Sequence, residues 1–372
     1  RHIRAATACW QNHADLPCST AGMEILLALT LLGAAFYVGW NIGANDAANC
    51  IGTTVGARVL PFRTAALIMA FFVILGGTLQ GHHVMKTVGK GIVITDAAVY
   101  ETHNGRPAPE EHVAYFPDNR LPDRAIFVAL LSAGLFVTVA TFSRIPVSTS
   151  QAIVGGVAGT GLGIVGIQSS YFKTAVLMKI FGAWIISPVL ALLLAFLVYT
   201  LLGLIFRRAR ALFWSKFLRI GVIASSAYVS FSLGANDVGN AIGPLLNKYP
   251  THAVPLAILG GVAMATGALT FGRRVTQTVG RSSTPLDYTG ALAAQTSAAF
   301  GVHLFSMLGI PVSTSQAVVG AVIGVGLTKG AQAISGRKVA TIVTGWVVTP
   351  LCAAIFAAGV YRFLEAMVFT GV

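Results

Sequence analysis

The chain has 372 residues, of which 55% are hydrophobic and only 10% are charged, with a formal net charge of +13. Soluble domains usually carry about a quarter charged residues, so this composition excludes an ordinary soluble protein. The positive charge does not indicate nucleic-acid binding, because most basic residues lie in short loops between apolar runs, where they set membrane orientation. Apolar runs of ~20 residues, each long enough to cross a bilayer, recur from end to end. The sequence therefore predicts an all-α polytopic membrane protein.

The first 22 residues differ from the rest in being polar and in lacking a long apolar run. They do not have the apolar core of a signal peptide, and Met23 begins the first apolar run. We expect residues 1–22 to be an N-terminal extension of the membrane domain. The four cysteines are too scattered to indicate a metal site. Cys50 and Cys352 lie in apolar runs and are expected to be packing residues.

The first half of the chain, residues 23–206, contains apolar runs that predict spans at about 25–42, 62–79 and 125–142. The longest polar stretch, residues 82–124, is expected to be a loop on the solvent side. A short glycine-rich run that ends near Gly166 predicts a re-entrant or broken helix, which a membrane tolerates only inside protein or beside water. The run that ends at Phe206 is too long for one span, and Pro188 is the expected break.

Two short segments occur twice and divide the chain into repeats. Gly-Ala-Asn-Asp, which begins residues 43–49, returns at residues 234–240 with an offset of 191, and we call these the Asn-Asp segments. Ser-Thr-Ser-Gln at residues 148–151 returns at residues 313–316 with an offset of 165, and we call these the Ser-Thr-Ser-Gln segments. The 26-residue difference places an insertion in the polar stretch of the first half. Two transmembrane repeats are therefore predicted, at residues 23–206 and 207–372.

Loop charges predict that the repeats have opposite orientations. The stretch 82–124 has five basic and six acidic residues, whereas the matching segment 273–287 has three basic and one acidic. Because cytoplasmic loops are rich in Lys and Arg, the first is expected outside and the second inside. Lys329, Arg337 and Lys338 would then lie outside, against this tendency. The prediction is two inverted-topology repeats with broken or re-entrant helices and roughly 10–12 membrane segments, as in many secondary transporters.

Each Ser-Thr-Ser-Gln segment is predicted to begin a helix, because its Ser-x-x-Gln spacing matches a capping box. Free backbone amides, the positive end of the helix dipole and three hydroxyls can together hold an oxyanion. The alternative is a helix cap without a ligand, although the identical second copy counts against it. The candidate phosphate- or sulfate-binding residues are Ser148, Thr149, Ser150, Gln151, Ser313, Thr314, Ser315 and Gln316.

Each Asn-Asp segment places an acid and two amides at membrane depth, where polar groups are expensive. The Asp and the Asn three residues later share one face of a helix, and their oxygens suit Na⁺ or a proton relay. The preceding glycines are expected to permit a sharp turn at a helix break. The alternative is that these side chains only cap a following half-helix. The candidate coupling-cation ligands are Asn45, Asp46, Asn49, Asn236, Asp237 and Asn240, with Asp46 and Asp237 as the Na⁺ candidates.

Other polar residues are weaker candidates. His82 and His83, at the edge of a span, are expected to be interfacial. His303, inside a span, is expected to be hydrogen-bonded in the packing, with a proton relay as the alternative. The sequence contains no Walker loop, nucleophile elbow or HExxH motif, so we predict no enzyme and no cofactor besides the coupling ion.

At both pairs of segments, and at Gly-Arg-Arg-Val-Thr-Gln-Thr-Val-Gly in residues 272–280, the chain resembles the inorganic phosphate transporter (PiT) family. The likeness runs from Met23 to the end of the chain. It implies a dimeric secondary transporter with inverted repeats that carries phosphate with Na⁺ or H⁺. It also implies phosphate at the Ser-Thr-Ser-Gln segments and the cation at the Asn-Asp segments, in agreement with the chemistry of those residues.

One departure from the family concerns the coupling ion. Val73 aligns where some sodium-coupled relatives have a glutamate, so Na⁺ and H⁺ both stay open. Some bacterial relatives carry sulfate, and hydroxyls do not separate the two anions. We predict a homodimeric phosphate symporter, surrounded by lipid in a bacterial or archaeal plasma membrane, with alternating access around a midplane anion site. The alternatives are a sulfate permease, an anion channel and a receptor that transports nothing.

Overall fold

The structure is a computed structural model that describes residues 20–142, 147–206, 211–276, 287–328, 330 and 336–370. Helices dominate these residues, and two 3₁₀ turns lie at Ser169–Tyr171 and Gly243–Asn247. The α-helices are α1 Thr20–Gly56, α2 Phe62–Lys90, α3 Ala97–Asn104, α4 Glu111–Tyr115, α5 Asp123–Phe142, α6 Thr149–Val165, α7 Thr174–Phe206, α8 Ala211–Ile242, α9 Ala253–Thr270, α10 Tyr288–Met307, α11 Thr314–Thr328 and α12 Gly336–Thr370.

These helices confirm the prediction of an all-α polytopic membrane protein. Seven of those described, namely α1, α2, α5, α7, α8, α9 and α12, are long and apolar enough to cross a membrane. α6 and α11 have 17 and 15 residues, fewer than the ~20 that a complete crossing needs. α10 has 20 residues and carries buried polar side chains, among them Gln295 and Ser306. In the described part of the chain these ten helices agree with the expected number of membrane segments.

The break predicted at Pro188 is wrong, because α7 runs through this proline as one helix of 33 residues. α12 runs through Pro350 in the same way. At 1.5 Å per residue α7 is about 50 Å long, so it fits the ~30 Å hydrocarbon core only by tilting or by extending beyond it. A neighbouring helix covers each proline, because a Cβ on Gly320 of α11 or Gly155 of α6 would clash with the proline carbonyl. Such contacts make a proline tolerable in a membrane helix.

The helix breaks predicted at the Asn-Asp segments are also wrong. α1 and α8 continue without interruption through residues 43–49 and 234–240. The glycines that begin these segments allow close packing rather than a turn. A Cβ on Gly43 would clash with the Met264 carbonyl of α9, and a Cβ on Gly234 would clash with the Val73 carbonyl of α2. Glycine at these positions lets two helix backbones come into contact.

Helices that the sequence assigns to different repeats pack on each other. α2 packs along α8, while α9 packs along α1, and in the same way α6 packs on α12 and α11 packs on α7. These contacts follow the sequence offsets, since Gly43 and Gly234 differ by 191 and Gly155 and Gly320 differ by 165. The protein interior therefore lies mostly between the two halves, and it contains the Asp46 side chain.

The polar stretch predicted as a loop from residue 82 is in part helical. Its first residues, as far as Lys90, belong to α2, because Val84 remains buried against Gly239 of α8 and Val88 against Gly243 of the second 3₁₀ turn. The rest folds around Tyr171, whose ring contacts Tyr100, His112 and Phe116, and burial raises the pKa of this phenol to about 12. Beside Tyr171, the large fully buried side chains of this folded stretch include Tyr100, Phe116, Ile92, Ile94 and Leu121.

Several predictions fall outside the described residues. These are most of the extension 1–22, the basic loop at 207–210, much of the segment 273–287, and Lys329. Cys50 is buried as expected. Cys352 is exposed on α12, and only 22% of the most apolar 18-residue segment of that helix is buried inside the protein. The packing role predicted for Cys352 is therefore wrong, because an apolar run in a membrane protein can also face lipid.

Candidate functional site

Asp46 lies within α1, and only 1% of this residue is exposed. Its Oδ1 accepts hydrogen bonds from Asn49 Nδ2 at 2.7 Å and from Ser315 Oγ at 3.0 Å. Its Oδ2 accepts one from Thr149 Oγ1 at 3.2 Å. Asn49 Nδ2 also donates to Ser315 Oγ at 2.8 Å. The carboxylate is therefore held by its own helix and by hydroxyls from α6 and α11.

Asp237 of α8 has the same surroundings with the repeats exchanged. Its Oδ1 accepts from Asn240 Nδ2 at 2.8 Å and from Ser150 Oγ at 2.9 Å, and its Oδ2 accepts from Thr314 Oγ1 at 3.0 Å. Asn240 Nδ2 also donates to Ser150 Oγ at 2.8 Å. Each acid thus contacts the threonine of its own repeat and the last serine of the other repeat. We call these groups the Asp46 half-site (Asp46, Asn49, Thr149, Ser315) and the Asp237 half-site (Asp237, Asn240, Ser150, Thr314).

The half-sites join two sets of residues that the sequence prediction assigned to different ligands. The candidate cation ligands and anion ligands are hydrogen-bonded to each other, because the first turns of α6 and α11 reach the carboxylates. A hydroxyl has one hydrogen, so a serine or threonine that donates to a carboxylate offers only lone pairs to another ligand. In this arrangement the half-sites present oxygen acceptors, which suit a cation. The hydroxyls must turn before they can donate to an anion.

Ser148 and Ser313 are helix N-caps, as their spacing predicts. Ser148 Oγ accepts a hydrogen bond from the Gln151 backbone N–H at 3.3 Å, and Ser313 Oγ accepts one from that of Gln316 at 3.3 Å. The glutamine side chains do not complete the capping boxes. Gln151 Oε1 and both polar side-chain atoms of Gln316 are buried without a partner in the described part of the chain. Because buried polar groups are nearly always satisfied, these amides are available to a ligand.

The two half-sites differ in exposure. Asp237, Asn240 and Ser150 are each 0% exposed. In the other half-site, Asn49 and Ser315 are partly exposed. Both carboxylates are therefore buried with equivalent hydrogen bonds, and the half-sites differ in the exposure of the residues around them.

Asn236 and Asn45, which occupy equivalent positions, also differ. Asn236 is fully buried and pairs with the backbone of Val312, donating to its carbonyl at 2.6 Å and accepting from its N–H at 3.1 Å. Asn45 is partly exposed, and its side chain makes no hydrogen bond among the described residues. The structure thus places Asn236 in contact with the backbone beside the second Ser-Thr-Ser-Gln segment and leaves Asn45 apart from the Asp46 half-site.

A polar cluster beside the Asp46 half-site was not predicted. The Cys50 carbonyl accepts hydrogen bonds from Ser226 Oγ at 2.8 Å and from Gln295 Nε2 at 3.0 Å. Ser225 Oγ donates to Gln295 Oε1 at 2.9 Å. A glutamine inside an apolar run was the available signal, because such a side chain needs buried partners. The equivalent positions of the other repeat are all apolar, namely Ala34, Ala35, Leu130 and Ala241.

Of the predictions for the histidines, the one for His303 is confirmed, while His82 and His83 lie within α2, which continues to Lys90. The rings of His82 and His83 lie 4.0 Å apart between their centroids, and His83 is exposed. His303 is hydrogen-bonded to Tyr228 and Gln80. Within the described ranges, no three His, Cys, Asp or Glu side chains are placed to hold a metal ion together.

Comparisons with known proteins agree with the resemblance inferred from the motifs. A family model described as the phosphate transporter family matches residues 42–357, which include both pairs of segments. A protein of Thermococcus kodakarensis named "Putative phosphate permease" is 30% identical over 92% of this chain and 99% of its own length. Inorganic phosphate transporter 2-1, chloroplastic, of Arabidopsis thaliana is 29% identical over 87% of this chain and 70% of its own length.

A solved structure supports the same conclusion. It is described as the sodium-dependent phosphate transporter, and it matches with a TM-score of 0.76 and 28% sequence identity. The match covers 92% of this chain and 100% of that chain. Because the family model spans most of the sequence and the fold agrees, this chain belongs to the phosphate transporter family.

Proposed function

We propose that the chain is a secondary transporter that carries inorganic phosphate across a plasma membrane together with a cation. Family membership supports phosphate as the substrate and points to a transporter rather than an enzyme. The observation that carries the proposal is the pair of buried acids, Asp46 and Asp237, each hydrogen-bonded to hydroxyls of both Ser-Thr-Ser-Gln segments. Acids that share hydrogen bonds with the anion site couple the two ligands directly.

The shared hydroxyls provide the coupling. A cation that binds the Asp46 carboxylate competes with the hydrogens of Thr149 and Ser315, because all of them approach the same oxygens. The displaced hydroxyls keep their oxygens toward the cation and turn their hydrogens toward phosphate. The cation therefore converts a group of acceptors into a group of donors. By linkage, phosphate raises the affinity for the cation by the same factor.

Phosphate is held by groups that the helices leave unpaired. The first-turn backbone amides of α6 and α11 and the positive ends of their dipoles attract an anion. At the start of α11, the buried Gln316 Nε2 has no partner among the described residues and can donate to phosphate, whereas the unpaired atom of Gln151 at the start of α6 is the acceptor Oε1. Neither Ser-Thr-Ser-Gln segment contains Lys or Arg, so affinity depends on these neutral donors and on the bound cation. A site of this kind releases phosphate when the cation leaves.

Na⁺ is the first choice for the coupling ion, because the matching solved structure is described as sodium-dependent. Carboxylate, hydroxyl and amide oxygens are the ligands available, and the buried Oδ1 of Asn240 has no other partner in the described residues. Val73, where some relatives have a glutamate, is fully buried and supplies no acid. A coupling cation is needed because moving phosphate alone against a negative-inside potential costs ~2.3 kcal/mol per charge per 100 mV.

The unequal exposure of the half-sites supports alternating access. The Asp46 half-site is partly exposed, whereas the Asp237 half-site is closed. In a pair of inverted repeats, an exchange of conformations between the repeats closes the first half-site and opens the second toward the opposite side of the membrane. Inverted orientation of the repeats, alternating access and a homodimer are further predictions of this proposal.

Uptake of labelled phosphate and sulfate into proteoliposomes tests the proposal, with Na⁺ and pH gradients imposed separately. We expect phosphate uptake to follow an inward Na⁺ gradient and to exceed sulfate uptake. Asp46→Asn and Asp237→Asn should each reduce Na⁺-dependent uptake by about tenfold or more, since contacts to a charged group contribute about 1.5–3 kcal/mol. Asp118→Asn is the matched control, because the Asp118 side chain is 61% exposed and lies far from both half-sites in the polar stretch.

Other results would contradict the proposal in distinct ways. Unchanged dependence on the cation gradient in both half-site variants rules out the cation role of Asp46 and Asp237. Phosphate uptake that persists without Na⁺ and after collapse of the proton gradient indicates a channel. No uptake of either anion indicates a protein that does not transport them, and sulfate uptake in excess of phosphate uptake indicates a sulfate permease.

A further inference from the structure

His303 joins three helices at a site that lies apart from both half-sites. It belongs to α10, its side chain is partly buried, and its Nδ1 lies 3.0 Å from the Tyr228 hydroxyl of α8. Its Nε2 lies 2.7 Å from Gln80 Oε1 of α2. Phe231 packs edge-on against the ring, with 5.5 Å between the centroids. We call this group the His303 clasp (His303, Tyr228, Gln80).

The other repeat has an equivalent contact without a titratable group. The offsets relate Tyr228 to Tyr37 and His303 to Thr138. Tyr37 and Thr138 share a hydrogen bond of 2.5 Å between their hydroxyls, and Thr138 is within 2.8 Å of Asn41 Oδ1. Both repeats therefore join the helix of the Asn-Asp segment to the helix before the Ser-Thr-Ser-Gln segment at the same level. Only the second repeat does so with a histidine, whose charge changes near neutral pH.

The clasp is connected to the Asp237 half-site through two helices. α10 ends at Met307, and a turn at Gly309, where φ is +69°, leads to Val312. The Val312 backbone pairs with Asn236, and its carbonyl also accepts a hydrogen bond from Ser150 Oγ at 2.7 Å. α8 carries both Tyr228 and Asn236. The clasp and the Asn236 pair therefore fix α10 and its following turn against α8 at two levels.

The contacts of the ring satisfy neutral histidine. Nε2–H donates to Gln80 Oε1, and Nδ1 accepts from the Tyr228 hydroxyl. A second proton on Nδ1 reverses this hydrogen bond: Nδ1–H then donates to the Tyr228 oxygen, and the Tyr228 hydrogen must turn away from the ring. No carboxylate is hydrogen-bonded to the ring to balance the new charge, since its hydrogen bonds and aromatic contacts in the described part of the chain are with Tyr228, Gln80 and Phe231.

The neighbouring helices provide no counter-charge at the ring for protonated His303. On α2, His83 lies one turn beyond Gln80 and is exposed. On α8, the Asp237 carboxylate is engaged by Asn240, Ser150 and Thr314. α7 carries Lys179 and Tyr199, and α11 carries no titratable residue. α1 also contacts α10, and its Asp46 carboxylate is engaged within the Asp46 half-site. Protonation therefore places an unpaired charge in a mostly apolar setting, which is unfavourable.

We propose that His303 is a positioning residue that holds α10 against α8 and α2 while its ring is neutral, so that acidification loosens the second Ser-Thr-Ser-Gln segment and slows transport. This inference rests on the proposed transport function and adds a pH-sensitive control that is separate from the coupling ion. Its direction follows from charge: protonation adds a positive charge to the ring, and no carboxylate hydrogen-bonded to His303 in the described part of the chain balances that charge.

The test uses His303→Thr, which introduces the residue found at the equivalent position of the first repeat, Thr138. His303→Gln is a second variant that keeps a hydrogen-bond donor and an acceptor in its side-chain amide. Phosphate uptake is measured at a constant Na⁺ gradient with equal pH on both sides. Phosphate itself titrates in this range, so the readout is the ratio of variant rate to wild-type rate at each pH. From about pH 7.5 to about pH 5.5 we expect this ratio to rise by up to about tenfold, the loss of neutral imidazole over that range.

Thr138→Val is the matched control, because it breaks the equivalent contact without removing a titratable group. Its rate relative to wild type should be the same at every pH. A second readout is the melting temperature in detergent without phosphate. Acidification should lower the melting temperature of the wild type more than that of His303→Thr. A pH-independent uptake ratio for both His303 variants overturns the inference. If the wild type takes up no phosphate, the proposed function fails. The melting temperatures then test the clasp by itself: an equal change with pH in the wild type and in His303→Thr would contradict the role of His303 in holding the helices together.

Discussion

Single hydroxyl hydrogens decide which ligand the half-sites favour. Ser150 Oγ lies within hydrogen-bond distance of two acceptors, Asp237 Oδ1 at 2.9 Å and the Val312 carbonyl at 2.7 Å. Its hydrogen can therefore leave the carboxylate and still find a partner. Among the described residues the one acceptor of the Thr149 hydroxyl is the Asp46 carboxylate, so a cation that displaces its hydrogen leaves that hydrogen available to phosphate. The threonines are consequently the more direct test of anion binding.

We predict that Thr149→Val raises the KM for phosphate by about tenfold, because a hydrogen bond to a charged group contributes about 1.5–3 kcal/mol. Valine keeps the shape of the side chain and removes only the hydroxyl. Uptake kinetics in proteoliposomes at saturating Na⁺ measure the effect, and Thr314→Val should behave alike. Thr200→Val is the control, since that exposed hydroxyl only donates to the Phe196 carbonyl of its own helix. An unchanged KM in both half-site variants would exclude the threonines as phosphate ligands.

Close helix pairs position the site at the scale of whole elements. In α6 and α11, glycines four residues apart contact the partner helix at consecutive turns. A Cβ on Gly159 would clash with the Ala354 carbonyl of α12, and a Cβ on Gly324 would clash with the Leu192 carbonyl of α7. The short helices are thereby held against the long outer ones by backbone contact. Their first turns, which carry the hydroxyls, gain a fixed position although their side chains are small.

Gly43→Ala should prevent normal folding, because the new Cβ would meet the Met264 backbone, which cannot move aside as a flexible side chain would. Gly52→Ala on the same helix is the matched control. No atom lies within 4 Å of a Cβ at that position, and alanine favours a helix by roughly 1 kcal/mol over glycine. Monodispersity and melting temperature of the purified protein in detergent measure both variants. Equal stability of the two would refute the close contact between α1 and α9.

On the scale of the whole molecule, an ion cluster joins the two halves outside the site. Lys248, just after the second 3₁₀ turn, lies 2.6 Å from Asp123 Oδ2 at the start of α5. Arg120 binds the other oxygen of Asp123 at 2.8 Å. The Lys248 and Asp123 side chains are 18% and 10% exposed, so they are better shielded than a surface pair. This cluster ties the polar stretch of the first repeat to the second repeat.

Lys248→Met should lower stability by about 1 kcal/mol, the upper end for partly exposed ion pairs, because Arg120 still balances Asp123. Methionine retains the apolar stem. Melting temperature in detergent measures the loss, which should shrink at high salt because exposed charges are screened. Lys86→Met, at an exposed position of α2, is the control and should have little effect. A loss that does not depend on salt would indicate that packing of the lysine stem, rather than charge, matters at this position.

The sequence by itself determined the class of protein and the residues of the candidate site. Apolar runs and repeated segments are local patterns, and they identified a membrane protein, its duplication and the four segments that meet in the structure. The caps at Ser148 and Ser313 followed from spacing alone, because a helix start is decided within a few residues. The family resemblance rested on the same short segments.

Only the tertiary structure decided how those segments are joined. Whether Pro188 breaks a helix depends on the neighbour that covers it, and the role of Gly43 depends on a backbone more than 200 residues away. The hydrogen bond between Thr149 and Asp46, 103 residues apart, turned two predicted sites into one network. Such contacts have no local signature, because they arise where distant helices meet. For the same reason, sequence showed His303 as a lone polar residue, and only the packed helices showed its two partners.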